Sequence, residues 1–400
     1  MPRFPEPAPT STSLSSGVFS ALTERARHHP RPVCPLHVGD TWREPLDLAR
    51  AEAQRTAETP HLHTYSPVAG EPALREAIER HLARRLAAIP GPLADGLLDT
   101  EARPRCVISG ATSGLSVVVQ ALLSPGDELL LPAPFWPLIR GITASRGATA
   151  VEVPLFHDLT TETPPEVIEA ALERAVTPRT AALYLNTPHN PTGRVLTRAQ
   201  IGAFARVAAR HDLWLLCDEV YEALHFGETP PTPAWALPET APRAVAVHSM
   251  SKAFGLAGAR VGWVHGPMAA MRAITAVQTF QVYCAARPMQ LGAAAALDHG
   301  ESWLAETRAI YRQASEAVAR VFRVPAPEAG TFLFAPMARF LKPGETPEAF
   351  LIRLLDEADV LVTPGSASGR DFEPWVRVCF TAAPPEALAA ALERLARVLG

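Results

Sequence analysis

Apolar positions recur along this chain with two different periods. Between residues 71 and 88 they fall at Leu74, Ile78, Leu82 and Leu86, four apart, which predicts one buried face of a helix. Elsewhere they form short, mostly apolar runs at 105–108, 129–131, 148–153, 181–185, 213–217 and 245–248. Runs of this length read as strands buried on both faces. Helix-length stretches, such as 113–123, lie between them. Strands alternating with helices predict an α/β fold, with a mostly parallel sheet between two helical layers. Beyond residue 300 the pattern changes to a long helix over 303–322 and strands at 331–334 and 375–380, which predicts a smaller α+β region.

Composition narrows the class. A chain of 400 residues, 48% of them hydrophobic, buries enough surface for two domains rather than one. The net charge of −4, with both signs dispersed, argues against a nucleic-acid or membrane-surface partner. Five scattered cysteines without a C-x-x-C pair argue against a disulfide framework or a zinc site and favour a reducing cytoplasm. No run approaches the roughly 18 apolar residues of a membrane-spanning helix, and no signal peptide is visible. The expectation is a soluble, cytoplasmic protein. Residues 1–17, rich in Pro, Ser and Thr, read as a flexible lead-in.

Open parallel sheets bind ligands beyond the carboxyl ends of their strands. Four of the predicted strands end there in polar loops: Ser109-Gly110-Ala111-Thr112, the segment 186–193, Asp218-Glu219-Val220-Tyr221, and Ser249-Met250-Ser251-Lys252. The first loop puts small residues before a helix, which suits a phosphate or an ordinary strand-to-helix turn. Asp218, at the end of a buried strand, reads as a helix cap or as the partner of a protonated ring nitrogen. Lys252 reads as an exposed loop residue or as a desolvated, nucleophilic amine. Arg377 interrupts an apolar strand, where it meets either an internal acid or the carboxylate of a ligand. His61 and His63 read as loop histidines, so no metal site is expected.

The string Ser249-Met250-Ser251-Lys252-Ala253-Phe254-Gly255-Leu256, continuing to Arg260-Val261-Gly262-Trp263, resembles the lysine signature of the class I/II aminotransferases. Asn186-Thr187-Pro188-His189-Asn190-Pro191-Thr192-Gly193, Asp218-Glu219-Val220-Tyr221, Pro132 through Trp136, Tyr65-Ser66-Pro67 and Pro364-Gly365-Ser366 match the same family in order, over roughly residues 35–395. The resemblance implies a fold-type-I enzyme that uses pyridoxal 5′-phosphate, with a seven-stranded sheet in a large domain. It places that domain at 46–299 and a small domain at 18–45 and 300–400. It also implies a homodimer. Lys252 would hold the cofactor as an aldimine and carry the proton, with Asp218 against the pyridine nitrogen. Asn190 and Tyr221 would bond the phenolic oxygen, and Trp136 would stack on the ring. Gly110, Ala111, Thr112, Ser249 and Arg260 would surround the phosphate, joined by Tyr65 of the neighbouring subunit. Arg377 would clamp the substrate carboxylate, with Asn190 and Gly39 beside it.

The implied activity is transfer of the amino group of an L-amino acid to a 2-oxo acid. The alternative is other carbanion chemistry on an amino acid, such as β-elimination by a carbon–sulfur lyase, because the pocket decides the carbanion's fate. A cofactor-binding transcriptional sensor is a third reading, disfavoured by Lys252 and by the short segment ahead of the match. Dicarboxylate-specific relatives carry a second arginine whose counterpart falls near Gln281, so a dicarboxylic donor is not expected. Arg287 is a substitute anion binder or a surface ion pair, and Trp42 stands where a substrate lid would be.

Overall fold

A computed structural model describes residues 9–12 and 20–400. The lead-in expected at 1–17 lies outside the described residues, apart from one helical turn at Pro9–Thr12. Among the described residues, ten strands form two sheets. The larger holds β1 (Arg105–Ile108), β2 (Glu128–Ala133), β3 (Thr149–Pro154), β4 (Thr180–Asn186), β5 (Trp214–Asp218), β6 (Ala244–Ser249) and β7 (Gly262–His265). Their order is β1-β7-β6-β5-β4-β2-β3. The β3-β2-β4-β5-β6 run is parallel, and β7 is antiparallel to both of its neighbours.

Six of these strands were legible as apolar runs. The seventh, β7, was not: only its first two residues fall in the stretch matched as a family signature, and its Gly-Trp-Val-His has no period of its own. Successive side chains on a strand point to opposite faces. Leu183, Leu185, Leu215, Cys217 and Ala246 thus join one apolar core, in which Ile201 and Phe204 of the helix Arg198–Arg210 pack. Ala182, Tyr184, Leu216, Val245 and Val247 join the opposite core with Leu115 and Val118 of the helix Gly110–Leu122. Thr197 caps the first of these helices in a box with Gln200, accepting from its backbone N–H while Gln200 Oε1 accepts from Thr197.

The smaller sheet is antiparallel, with β10 (Trp375–Cys379) between β8 (Phe332–Pro336) and β9 (Thr363–Pro364). The segment 34–42 is stitched to it. Cys34 and Leu361 bond through their backbones, Cys379 N donates to Leu36 O at 2.8 Å, and Trp42 N donates to Thr381 O at 2.9 Å. Arg25 pairs with Asp356 and Arg31 with Asp359, tying the preceding residues to the same region. Among the described residues, no helix is long and apolar enough to cross a membrane.

Candidate active site

The carboxyl ends of β4, β5 and β6 face the same edge, and the smaller sheet lies across from it. Between them is a cavity of about 260 Å³. Its lining includes Gly39, Ala111, Thr112, Trp136, Asn190, Asp218, Tyr221, Ser249, Lys252, Arg260 and Arg377. Four loops far apart in sequence therefore meet in one pocket. Gly110 lies beneath it, and Tyr65 lies elsewhere, 81% exposed and edge-on to Tyr283 at 5.1 Å.

Asp218 forms the floor. Burial raises its carboxyl to about 6, against the hydrogen bond from Tyr184, which favours the charged form. Tyr184 Oη donates to Asp218 Oδ2 at 2.5 Å, and Val220 N donates to Oδ1 at 3.2 Å. Asn186 Nδ2 donates to the Asp218 carbonyl at 2.8 Å, and Asn186 Oδ1 accepts from Asn190 N at 2.7 Å, so Asn186 joins two of the loops. Among the described residues, no cation forms an ion pair with Asp218. A buried carboxylate so placed fits a positively charged ring nitrogen.

Lys252 is largely desolvated, which lowers its ammonium from the ordinary lysine value. Its Nζ donates to the carbonyl of Gly39. Gly39 itself has no room for a side chain, since a Cβ there would lie 2.6 Å from Phe332 Cζ. Opposite Asp218, Arg377 is buried over the Phe332 ring at 4.2 Å. Burial lowers its guanidinium from the ordinary value. It donates to Asn190 Oδ1 and His37 O at 3.3 Å and to Thr363 Oγ1 at 3.4 Å, and its Nε has no hydrogen-bond partner. Among the described residues no acid pairs with it, which leaves the internal-salt-bridge alternative without a partner. Asn190 Nδ2 also donates to Tyr221 Oη at 3.3 Å, and burial raises that phenol above its ordinary value.

At the far end, the helix Gly110–Leu122 points its N-terminus at the cavity, with Thr112 exposed to it. Unpaired backbone N–H groups and the helix dipole favour an anion there. Arg260 adopts a left-handed backbone conformation (φ 53°, ψ 52°), and its guanidinium lies over Gly110, where any Cβ would collide with it. Gly110 has φ +79° as well, so only glycine suits both the turn and the arginine. Arg260 Nη1 is steadied by Ala257 O at 2.8 Å. A phosphate-sized anion fits this cradle.

Several residues weighed from sequence prove to be occupied elsewhere. Arg287 pairs with Glu71 at 2.8 Å and donates to His61 O and Thr64 Oγ1, so it is the ion-pair alternative and not an anion binder of this pocket. Gln281 donates to Gln120 at 2.6 Å on the surface. Trp42 is half-buried against the core. Two features went unread in the sequence. Tyr184 is one; its only signal is a phenol in an otherwise aliphatic strand. The other is a buried ion cluster next to the floor, where Arg85 bonds Glu222 and lies 2.5 Å from Glu219, and where His81 and His248 also reach Glu222. The ligand atoms of Glu219, Glu222 and His248 lie within 4.8 Å of one another. Arg85 already pairs with both carboxylates. Burial alone would raise Glu222, but Arg85 and His248 hold it well below the carboxylate range.

Residues 31–395 match the family model described as aminotransferase class I and II. The chain belongs to that family. The chain is 32% identical to an aspartate aminotransferase of Musicola paradisiaca over 299 residues, covering 73% of each protein. It is 34% identical over 312 residues to an arginine–pyruvate transaminase of Pseudomonas aeruginosa, covering 76% of this chain and 75% of that one. The structure of N-succinyldiaminopimelate aminotransferase from Mycobacterium tuberculosis superposes with a TM-score of 0.86 at 28% identity, covering 98% of this chain and 100% of that one. This aminotransferase is thus a fold-type-I α/β enzyme that uses pyridoxal 5′-phosphate to move an amino group between an amino acid and a keto acid.

Proposed function

We propose that the cavity around Lys252 is the transamination centre, and that each lining residue has a separate task. The observation that carries this reading is the convergence in one pocket of a desolvated lysine, an unpaired buried carboxylate and an unpaired buried guanidinium. When bound, pyridoxal phosphate supplies an electron-accepting ring that stabilises negative charge at the substrate Cα. Asp218 would hold the pyridine nitrogen in its protonated form by opposite charge. Arg260, the helix N-terminus with Gly110, Ala111 and Thr112, and Ser249 would hold the phosphate. Asn190 and Tyr221 would face the phenolic oxygen, and Trp136 would cover the ring.

Arg377 clamps the substrate α-carboxylate through its planar fork and orients the bond to be broken. Gly39 leaves room beside it. Lys252 Nζ would take and hold the proton from the substrate Cα, which burial assists by favouring the neutral amine. With Arg260 given to phosphate and Arg377 to the α-carboxylate, the lining offers no further arginine for a distal acid among the described residues. An L-amino acid without a distal acid group is therefore the proposed donor. We also assign 46–299 to a cofactor-binding domain, and 18–45 with 300–400 to a smaller one, consistent with the backbone bonds from 34–42 to the smaller sheet. A cytoplasmic homodimer, with Tyr65 reaching the partner's phosphate site, completes the proposal.

The test is the visible spectrum of the holoenzyme with single amino acids and no keto acid. Stoichiometric conversion to the pyridoxamine form, reversed by a 2-oxo acid, is expected for donors without a distal acid group and names the donor class. Persistence of the starting band while ammonia accumulates over many turnovers would instead assign a lyase.

A further inference from the structure

Tyr184 sits one strand away from Asp218 in a position fixed by register. It pairs with Leu216 while Asn186 pairs with Asp218, so its side chain lies diagonal to the carboxylate on the same sheet face. Both residues are buried, and the phenol lies in the apolar core formed with Leu216, Val245 and Val247. A phenol there has few alternatives to the 2.5 Å bond it makes. Burial raises it well above its ordinary value, so it is a donor throughout the working range of the enzyme.

We propose that Tyr184 is a positioning residue for amino transfer, fixing the Asp218 side chain toward the pocket and keeping it in the carboxylate form. The proposal rests on the reading of Asp218 as the partner of the ring nitrogen. Burial works against the carboxylate, and a hydrogen bond donated to it works in favour. The other groups acting on Asp218 are the Val220 backbone N–H and His248 from β6, which favour the charge, and Glu219 beside it, which disfavours it. Tyr221 follows on the same loop. Lys252, Arg260 and Arg377 share the cavity, and the helix packed on this face contributes Ala111, Thr112 and Leu115, none of them titratable. Tyr184 is therefore the strongest hydrogen-bonded support of the charged form.

Tyr184→Phe is the test variant, read in three ways. Infrared titration of the cofactor-free protein, with Asp218→Asn as blank, reports the carboxyl directly; its midpoint should rise by about one pH unit, the scale of one charge-assisted bond. In the holoenzyme the acid limb of kcat/KM should move upward by a similar amount, and pyridoxal phosphate should be released into phosphate buffer about three- to tenfold faster. In an Asp218→Asn background the tyrosine substitution should change neither release nor pH profile, because its effect passes through the carboxylate. An acid limb and midpoint unmoved by Tyr184→Phe, with only a lower melting temperature, would make Tyr184 a packing residue and overturn the proposal. If Asp218→Asn alone leaves cofactor release and turnover unchanged, the reading of Asp218 itself fails, and the proposal falls with it.

Discussion

At the scale of single residues, the site is made of groups that would be unfavourable anywhere else. Asp218 shows this most directly. Its folded carboxyl lies at about 6, above the ordinary 3.8, so folding disfavours the ionised form. The stabilising state is the protonated one: stability is fully present below the unfolded value and is lost as pH rises from about 4 through about 6. The difference amounts to about 3 kcal/mol at neutral pH. Chemical denaturation of the cofactor-free protein should therefore show Asp218→Asn to be more stable than the parent at pH 7 and nearly equal to it at pH 4. Equal midpoints at both pH values would contradict a buried, unpaired carboxylate. Arg377 is the mirror case. Arg377→Ala should weaken amino acids as a class by about 2–5 kcal/mol, visible in KM, while leaving cofactor affinity in place. Lys252→Ala should cut turnover by at least about 10²–10⁴-fold, the range of a positioned acid–base group, without loss of fold in circular dichroism.

Elements decide how such residues meet, and here the sequence was only partly readable. β1, β4, β5 and β6 announced themselves because strands buried on both faces are mostly apolar runs, and the polar loops after them marked the cavity edge. The segment 37–42 gave no such signal, having neither period nor propensity. Yet three of its carbonyls touch the site and its supports: His37 O accepts from Arg377, Gly39 O from Lys252, and Asp40 O from Thr381 at 2.8 Å. Contacts of this kind depend on chain geometry fixed more than 200 residues away, which no local pattern encodes. Tyr184 was hidden for a related reason: a tyrosine in a strand is ordinary, and only the register with β5 gives it a partner. The segment yields its own prediction. Gly39→Ala pushes Phe332 and shifts the carbonyl that holds Lys252, so kcat should fall while the rate of cofactor release stays at the parent value. A release rate that rises as much as kcat falls would place the damage at the phosphate end instead.

At the scale of the whole molecule, exposed aromatic surface bears on whether one chain completes a site. Tyr65 is 81% exposed, and Phe280, at 92%, and Tyr283, at 46%, add further exposed aromatic surface. The clamp of Arg287 on Glu71, His61 and Thr64 holds the Tyr65 loop outward. An exposed aromatic held by ordered bonds fits a surface that meets a second copy. Subunit mixing tests this without a structure of the assembly. Lys252→Ala chains lack the amine, and Tyr65→Ala chains lack the donated phenol. If Tyr65 serves the partner's site, a mixed dimer has one site with both defects and one with none. Random re-association of equal amounts should then restore about a quarter of parental sites at subsaturating cofactor, since half of the dimers are mixed and each has one intact site of two. If Tyr65 serves its own chain, every site in the mixture carries a defect, and activity stays at the average of the two parents. The two arrangements differ in symmetry rather than in contact strength, so modest activity in either variant does not blur the outcome.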